Sequence, residues 1–368
     1  MGAGILGTAV ALNLARMGVK VTALDCLAET KAGEATRASW AWLNANQKHP
    51  RSYKWLNQLG MTAWCSDKDV SHLPDCKGAL VRVNDTLDAD GGYSMQGPLT
   101  VNRLAELEPQ ASVSQGDGCV YFFPEEGCVD PIAASIAMRR AAERMGAKFI
   151  FGQNVTEVLR NAEGRTTGAV SRSTCSDKLT TTVADIVVVA AGVGSASPAL
   201  GGLPLLGKVG RVVCATPRDN SPFLQRILVD TVLQSHIFQR KDGSILIGGG
   251  YLEVGGAGSS KTEPSSSVPR AKMLFDKGCM LALKLMNDSE VVGAYVAVRP
   301  MPQDCLPAAG FLDEGIFAIV THSGFTLSPI LAPLVAAELV RGVDLELLDE
   351  FRPVRFALPQ RFQYYCNL

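Results

Sequence analysis

Charge of one sign is scarce in this chain. Thirty-five Lys and Arg stand against 36 Asp and Glu, a formal net charge of −1. That balance leaves no surplus to neutralise phosphates and argues against nucleic acid or an anionic membrane surface as partner. Histidine is sparse, with four residues, and the ten cysteines contain no C-x-x-C pair. Neither a zinc site nor a disulfide frame is indicated, and reduced thiols in an intracellular protein are expected. The uncharged stretch Ile186 to Gly207 is broken by five glycines and two prolines. It reads as strand plus loop rather than a membrane span. Met1 to Ala15 has no basic leading segment and no small-residue cleavage site, so a secretory signal is not expected. What remains is 368 residues, 47% hydrophobic, enough for two or three domains with a true core and a small-molecule partner.

Against these absences stands a glycine-rich opening. Gly2-Ala3-Gly4-Ile5-Leu6-Gly7 leads into a helical stretch carrying Ala9, Leu12 and Ala15, closed by Gly18, then into a strand Val19–Leu24 with Asp25 at its end. A lone G-x-G-x-x-G says little. Here it opens a helix leading to a strand whose carboxylate lies 23 residues after the first glycine, the pattern of a dinucleotide-binding βαβ unit. In that pattern Gly2 permits the tight turn, Gly4 lets backbone approach a pyrophosphate, Gly7 lets helix pack on sheet, and Asp25 accepts ribose hydroxyls. One part is missing, since only Met1 precedes the loop where a buried first strand is required. Five Val or Ile side chains at about 1.5–3 kcal/mol each would contribute roughly 7–15 kcal/mol, comparable to a domain's net stability of about 5–15 kcal/mol. The expectation is therefore that the functional protein starts upstream of Met1, with a Val/Ile-rich run in frame.

Further along, Thr36-Arg37-Ala38-Ser39 precedes Trp40-Ala41-Trp42. It reads either as a place where cofactor threads past small polar residues or as an ordinary loop with an exposed Arg. Residues 45 to 125 read as helical and irregular. Asp130-Pro131 reads as N-cap and first position of a helix to Met145, stopped by Gly146 and followed by a strand Ala147–Phe151. Helix-to-strand alternation has resumed there, so the α/β part is discontinuous. Val155–Val170 is hairpin-like, Ala184–Val189 reads as a strand buried on both faces, and Ala190-Ala191-Gly192 ends it with small residues. Runs at Ile227–Val229, Ser235–Phe238 and Ile245–Ile247 point to a second, mostly antiparallel domain, and Gly255–Val268 to a Ser/Gly/Pro-rich loop. Val298-Arg299-Pro300 is placed at a strand end. Strand Ile316–Val320 is followed by Thr321-His322-Ser323-Gly324-Phe325-Thr326-Leu327 and a helix reaching Arg341, whose N-terminus offers unpaired N–H groups to an anion. Pro329 suits an early helical position, and Pro333 is expected to delay or kink the helix.

These segments together resemble the FAD-dependent amino-acid oxidoreductases of the D-amino-acid oxidase and glycine oxidase superfamily. The resemblance runs over nearly the whole chain, through Gly2–Gly7, Gly127-Cys128-Val129-Asp130-Pro131, Ala190-Ala191-Gly192, Val298-Arg299-Pro300-Met301-Pro302 and Thr321-His322-Ser323-Gly324. It implies an α/β protein, α+β overall. A Rossmann-type FAD-binding domain (1–45, 128–205 and 299–368), lacking its first strand, is interleaved with a mostly antiparallel substrate domain (46–127 and 206–298). It further implies noncovalent FAD, with the adenine end at Gly2, Gly4, Ile5, Leu6, Gly7 and Asp25. Further contacts come from Arg37, Ala38, main chain near Val155, Ala191 and Gly192, and the flavin end lies near Ser39 and at His322, Ser323, Gly324, Phe325, Thr326 and Leu327. No cysteine occupies the positions used for covalent flavin in sarcosine-oxidase relatives, and Trp40 and Trp42 replace small residues often seen there.

Arg299 is the residue expected to hold substrate, because a guanidinium binds a carboxylate through two parallel hydrogen bonds, and the resemblance carries its carboxylate-binding Arg at this R-P position. The implied reaction oxidises the C–N bond of a small amino acid, of D-amino acid, glycine or N-methylglycine type. Hydride passes from the α-carbon to flavin, and O₂ or an electron carrier is the final oxidant. No protein acid or base is obligatory. His322 either faces flavin or substrate or makes a structural hydrogen bond in its loop. Tyr251, Tyr295 and His236 are further pocket candidates, and Cys305 reads as a packing thiol. No metal is expected, and an oligomer is left open. The rivals are an NAD-linked dehydrogenase, which would purify colourless, and a yellow flavin-binding protein without turnover. The expected location is cytoplasmic or organellar rather than secreted, with a peroxisome the weaker alternative, since Cys366-Asn367-Leu368 is only distantly like the S-K-L peroxisomal address.

Overall fold

The computed structural model describes residues 1–29, 33–87, 93–112, 118–218, 223–249, 252–256 and 268–357. Tyr251, most of the Gly255–Val268 piece and Cys366-Asn367-Leu368 lie outside the described residues.

The expected βαβ opening forms. Helix Ile5–Arg16 buries Ala9, Leu12 and Ala15, and Gly18 follows its C-cap at φ 79°, a left-handed position that glycine adopts at little cost. Strand Thr22–Leu24 pairs in parallel with Lys148–Ile150. The helix that precedes the second of these strands in the chain, Pro131–Arg144, begins as the sequence predicts, with the Asp130 carboxylate accepting the Ala133 N–H at 2.7 Å and Pro131 in the first turn. A second group of strands, Val187–Val189, Ile316–Val320 and Ala308–Asp313, lies alongside. Met1 and Gly2 bridge the two groups: Gly2 N–H donates to Leu24 O at 2.7 Å, and Ala190 N–H donates to Met1 O at 2.8 Å. Two residues thus span the track that the first strand of a Rossmann sheet takes. The Val187–Val189 strand is shorter than the predicted Ala184–Val189. The uncharged stretch after it turns through Gly192–Ala196 and Pro198–Leu200.

The second domain is built on an eight-stranded, mostly antiparallel sheet. Its long strands Leu205–Pro217 and Ser289–Pro302 run antiparallel with Arg299 opposite Lys208, so Arg299 lies within a strand rather than at its end. Two strands of this sheet, Ala79–Val83 and Cys119–Phe123, come from the region read as helical and irregular. Ala79–Val83 is buried at four of five positions. Without polar alternation it carries no period-2 signature, which is how burial on both faces hides a strand.

The apolar helix Gly324–Arg341 passes the length and composition test for a membrane span, yet it packs in the main core against Ile5–Arg16 and Arg51–Ser66. Pro329 and Pro333 lie inside it, not at its start. Pro329 has no N–H to give Phe325 O four residues back. That carbonyl instead accepts the indole N–H of the fully buried Trp64 at 2.7 Å and the Ser328 hydroxyl at 3.3 Å. One turn away the two helices touch backbone to backbone: a Cβ on Gly60 would lie 2.1 Å from Thr326 O. Gly60→Ala is therefore expected to destabilise by about 2 kcal/mol, although alanine is intrinsically the better helix former by roughly 1 kcal/mol. A fall in the urea midpoint at constant m-value measures it.

Candidate functional site

One cavity of about 900 Å³ runs from the glycine turn, past the small residues Ala190 to Gly194, to the face of the large sheet. That is near the upper end of the roughly 300–1,000 Å³ typical of ligand pockets. Gly2 enters the turn at φ 91°, and a Cβ there would come within 2.3 Å of Ala190 O, so the sheet tolerates only glycine at this crossing. Asp25, 8% exposed, accepts Ala3 N–H at 2.6 Å and Leu27 N–H at 2.8 Å. Thr36, the first residue of the small polar run before Trp40, accepts the Ile5 N–H through its hydroxyl at 3.1 Å and so pins the start of the helix.

Of the residues expected at the cofactor, Gly2, Gly4, Ile5, Leu6, Asp25, Ala38, Ser39, Val155, Ala191, Gly192, Ser323, Gly324, Phe325 and Thr326 line this cavity. Three do not. Gly7 is a packing position, where a Cβ would lie 1.9 Å from Gly2 O. Arg37 ends a short helix and directs its guanidinium over the Tyr295 ring, 5.9 Å from the centroid. Leu327 is fully buried in the core, one turn into its helix.

At the sheet end Arg299 and His322, the two residues expected to act on substrate, share the cavity wall with His236. The Arg299 side chain lies across the neighbouring strand at Gly210, where a Cβ would be 2.6 Å from Nε. Glycine at this register leaves the room that the guanidinium occupies. His236 stacks on Trp40 with centroids 3.7 Å apart, a contact that joins the second domain to the segment after Ser39. Burial and the nearby Arg299 charge push the His236 imidazole down to about 3. His322 is held well below its ordinary value by burial and by the charges of Arg299, Lys48 and Lys208. Both imidazoles are neutral at pH 7. Cys305 also lines the cavity and, contrary to the expectation of a free thiol, is disulfide-bonded. Among the described residues no group of three His, Cys, Asp or Glu could hold a metal ion.

Behind this wall sits a buried polar cluster. Glu126, fully buried, accepts the Tyr93 hydroxyl at 2.5 Å and the Asn46 side-chain N–H at 2.5 Å. Burial raises its carboxyl to about 7, while burial lowers the Lys48 ammonium to about 8. The Tyr53 hydroxyl shares a 2.6 Å hydrogen bond with Ser323 Oγ, which ties the cluster to the loop entering the Gly324 helix. Neither Lys48 nor Glu126 was marked by the sequence, where they sit in segments without a motif.

The residues present suit an FAD molecule. A turn whose backbone passes close to a neighbouring strand and a buried carboxylate after the second strand stand at one end, and an uncapped helix N-terminus with no acid in its first turn stands at the other. A family model described as FAD dependent oxidoreductase matches residues 1–338. The chain belongs to this DAO family. It is thus an FAD-dependent oxidoreductase and not the NAD-linked alternative. It is 23% identical to one subunit of an opine oxidase from Agrobacterium tumefaciens (strain Ach5), over 98% of this chain and 97% of that relative. Its fold is similar to glycine oxidase from Geobacillus kaustophilus, with a TM-score of 0.79, 20% identity and coverage of 96% and 97%. It also resembles iminodiacetate oxidase from Chelativorans sp. BNC1, with a TM-score of 0.76, 21% identity and the same coverage.

The Glu126 shift predicts a pH dependence. Between about pH 4.5 and 7 the unfolded chain releases this proton and the folded protein retains it, so folding stability falls as pH rises across that window. Glu126→Gln lacks this loss. Urea titrations near pH 5 and pH 7 are expected to show the difference between variant and wild type moving in the variant's favour at the higher pH.

Proposed function

We propose that this DAO-family protein oxidises the C–N bond of a small amino acid whose carboxylate is held by Arg299. The observation that carries the reading is the position of Arg299 on the cavity wall, across Gly210 and beside a neutral His322, at the end away from Asp25. Two forked hydrogen bonds from one guanidinium fix both the charge and the tilt of a carboxylate, and so the direction of its α-carbon. The N-terminus of the Gly324–Arg341 helix opens on the same cavity and stabilises negative charge developing nearby. FAD supplies a hydride acceptor for the α-hydrogen, and the imine product hydrolyses to a 2-oxo acid. A neutral His322 and a neutral His236 do not compete with Arg299 for the carboxylate, and each can accept a hydrogen bond from the amine or donate one to it. The relatives that act on glycine and on iminodiacetate support an amino-acid donor.

Anaerobic mixing of the holoenzyme with glycine, N-methylglycine, iminodiacetate and D- and L-amino acids tests this. Bleaching of the flavin band with at least one of them is expected, and no bleaching with any supports a flavin-binding protein without turnover. Arg299→Ala is expected to weaken the reactive donor's binding roughly 10²-fold, as for loss of one partner in a desolvated charge pair. Undiminished affinity in that variant overturns the assignment of Arg299.

A further inference from the structure

We propose that the substrate carries a second carboxylate, received by Lys48 and Gln47; the proposal rests on the amino-acid reading above. Lys48 is 6% exposed and lines the same cavity as Arg299. Its ammonium lies over the Tyr53 ring, 6.0 Å from the centroid. Glu126 is its electrostatic counterpart; its Oε1 accepts from Tyr93 and Asn46, and its Oε2 is buried without a hydrogen-bond partner. No carboxylate of the described residues lies within 4 Å of the Lys48 ammonium. The residue before it has the same character: Gln47 lines the cavity, and its Nε2 is buried without a hydrogen-bond partner. Gln47 holds φ at 52°, a left-handed backbone that side chains other than Gly, Asn and Asp rarely adopt. Strain of this kind persists where the surroundings impose it, commonly at ligand sites.

Adjacent donors without an acceptor define the chemistry of what they bind. A buried ammonium and a buried carboxamide N–H carry a desolvation penalty that an anionic oxygen offsets. The donors in hand point to a carboxylate, which accepts from both at once. Arg299 and Lys48 both act electrostatically on His322, which places His322 within the field of each. A zwitterionic amino acid whose one carboxylate is held at Arg299 leaves Lys48 without an acceptor. A secondary amine with a carboxylate on each arm supplies one to Lys48 as well.

The test uses two probes that lack an amine and cannot be oxidised at a C–N bond. Diglycolate carries two carboxylates about a central ether oxygen, and methoxyacetate is the same molecule with one arm reduced to methyl. Each is titrated into the holoenzyme and followed by perturbation of the flavin absorption band. Diglycolate is expected to bind at least tenfold more tightly than methoxyacetate. In Lys48→Met that preference is expected to fall to within about threefold. Gln47→Leu, which leaves the cation in place, is expected to reduce it in the same direction by a smaller factor. Equal affinity for the two probes in the wild type, or a preference unchanged in Lys48→Met, overturns the proposal. An altered flavin spectrum in Lys48→Met with the preference intact assigns Lys48 to the cofactor and also overturns it. Failure of the amino-acid reading looks different: no amine bleaches the flavin, while the two-probe ratio still reports on Lys48.

Discussion

The geometry of the site depends on how one helix meets another. Gly324–Arg341 begins at the cavity, and its first turn is positioned by Arg51–Ser66 through Trp64 and Gly60. A proline six positions into a helix normally leaves a carbonyl without its donor, at a cost of about 3 kcal/mol or more. Here the freed Phe325 carbonyl is the anchor point for a buried indole. The defect becomes a specific attachment, and glycine at position 60 brings the two backbones close enough for the indole to reach. His322, Ser323 and Gly324 follow from that attachment, and Tyr53, on the same supporting helix, adds a hydrogen bond to Ser323.

A second constraint is electrostatic. The sheet end of the cavity gathers Arg299, Lys48 and Lys208 around His322, while the chain as a whole is nearly neutral. Positive charge held in a low-dielectric wall acts over the length of a small ligand and is little screened by salt. Burial first, and this charge second, keep both histidines neutral, and the charge leaves the cavity selective for anions. Burial of Glu126 behind Lys48 moderates this field without cancelling it, because a carboxyl with its pKa raised to about 7 is only partly charged at neutral pH.

Much of this was legible in the sequence. The glycine turn, Asp25, the Asp130-Pro131 helix start and the mostly antiparallel second sheet follow from short-range signals: spacing, caps and alternation. The strands Ala79–Val83 and Cys119–Phe123 were not legible, because strands buried on both faces have no polar face to mark a period of two. Arg37 and Leu327 were assigned to the cofactor by their neighbours in sequence. The structure turns one onto Tyr295 and the other into the core. Adjacent residues on a helix point about 100° apart, so a motif's neighbours need not share its target.

What the sequence by itself determined is the chemistry available and its local form. A turn that only glycine can make, a carboxylate at the end of the next strand and an arginine before a proline are properties of consecutive residues, fixed by backbone sterics and side-chain type. What only the tertiary structure decided is company. Lys48 and Arg299 are 251 positions apart in the chain, and nothing local to either says that they share a cavity. Long-range contacts between separate segments brought them to one wall, and burial there lowered the proton affinity of Lys48 and of His322. Desolvation and neighbouring charge depend on which atoms surround a group, and that is set by packing rather than by sequence order.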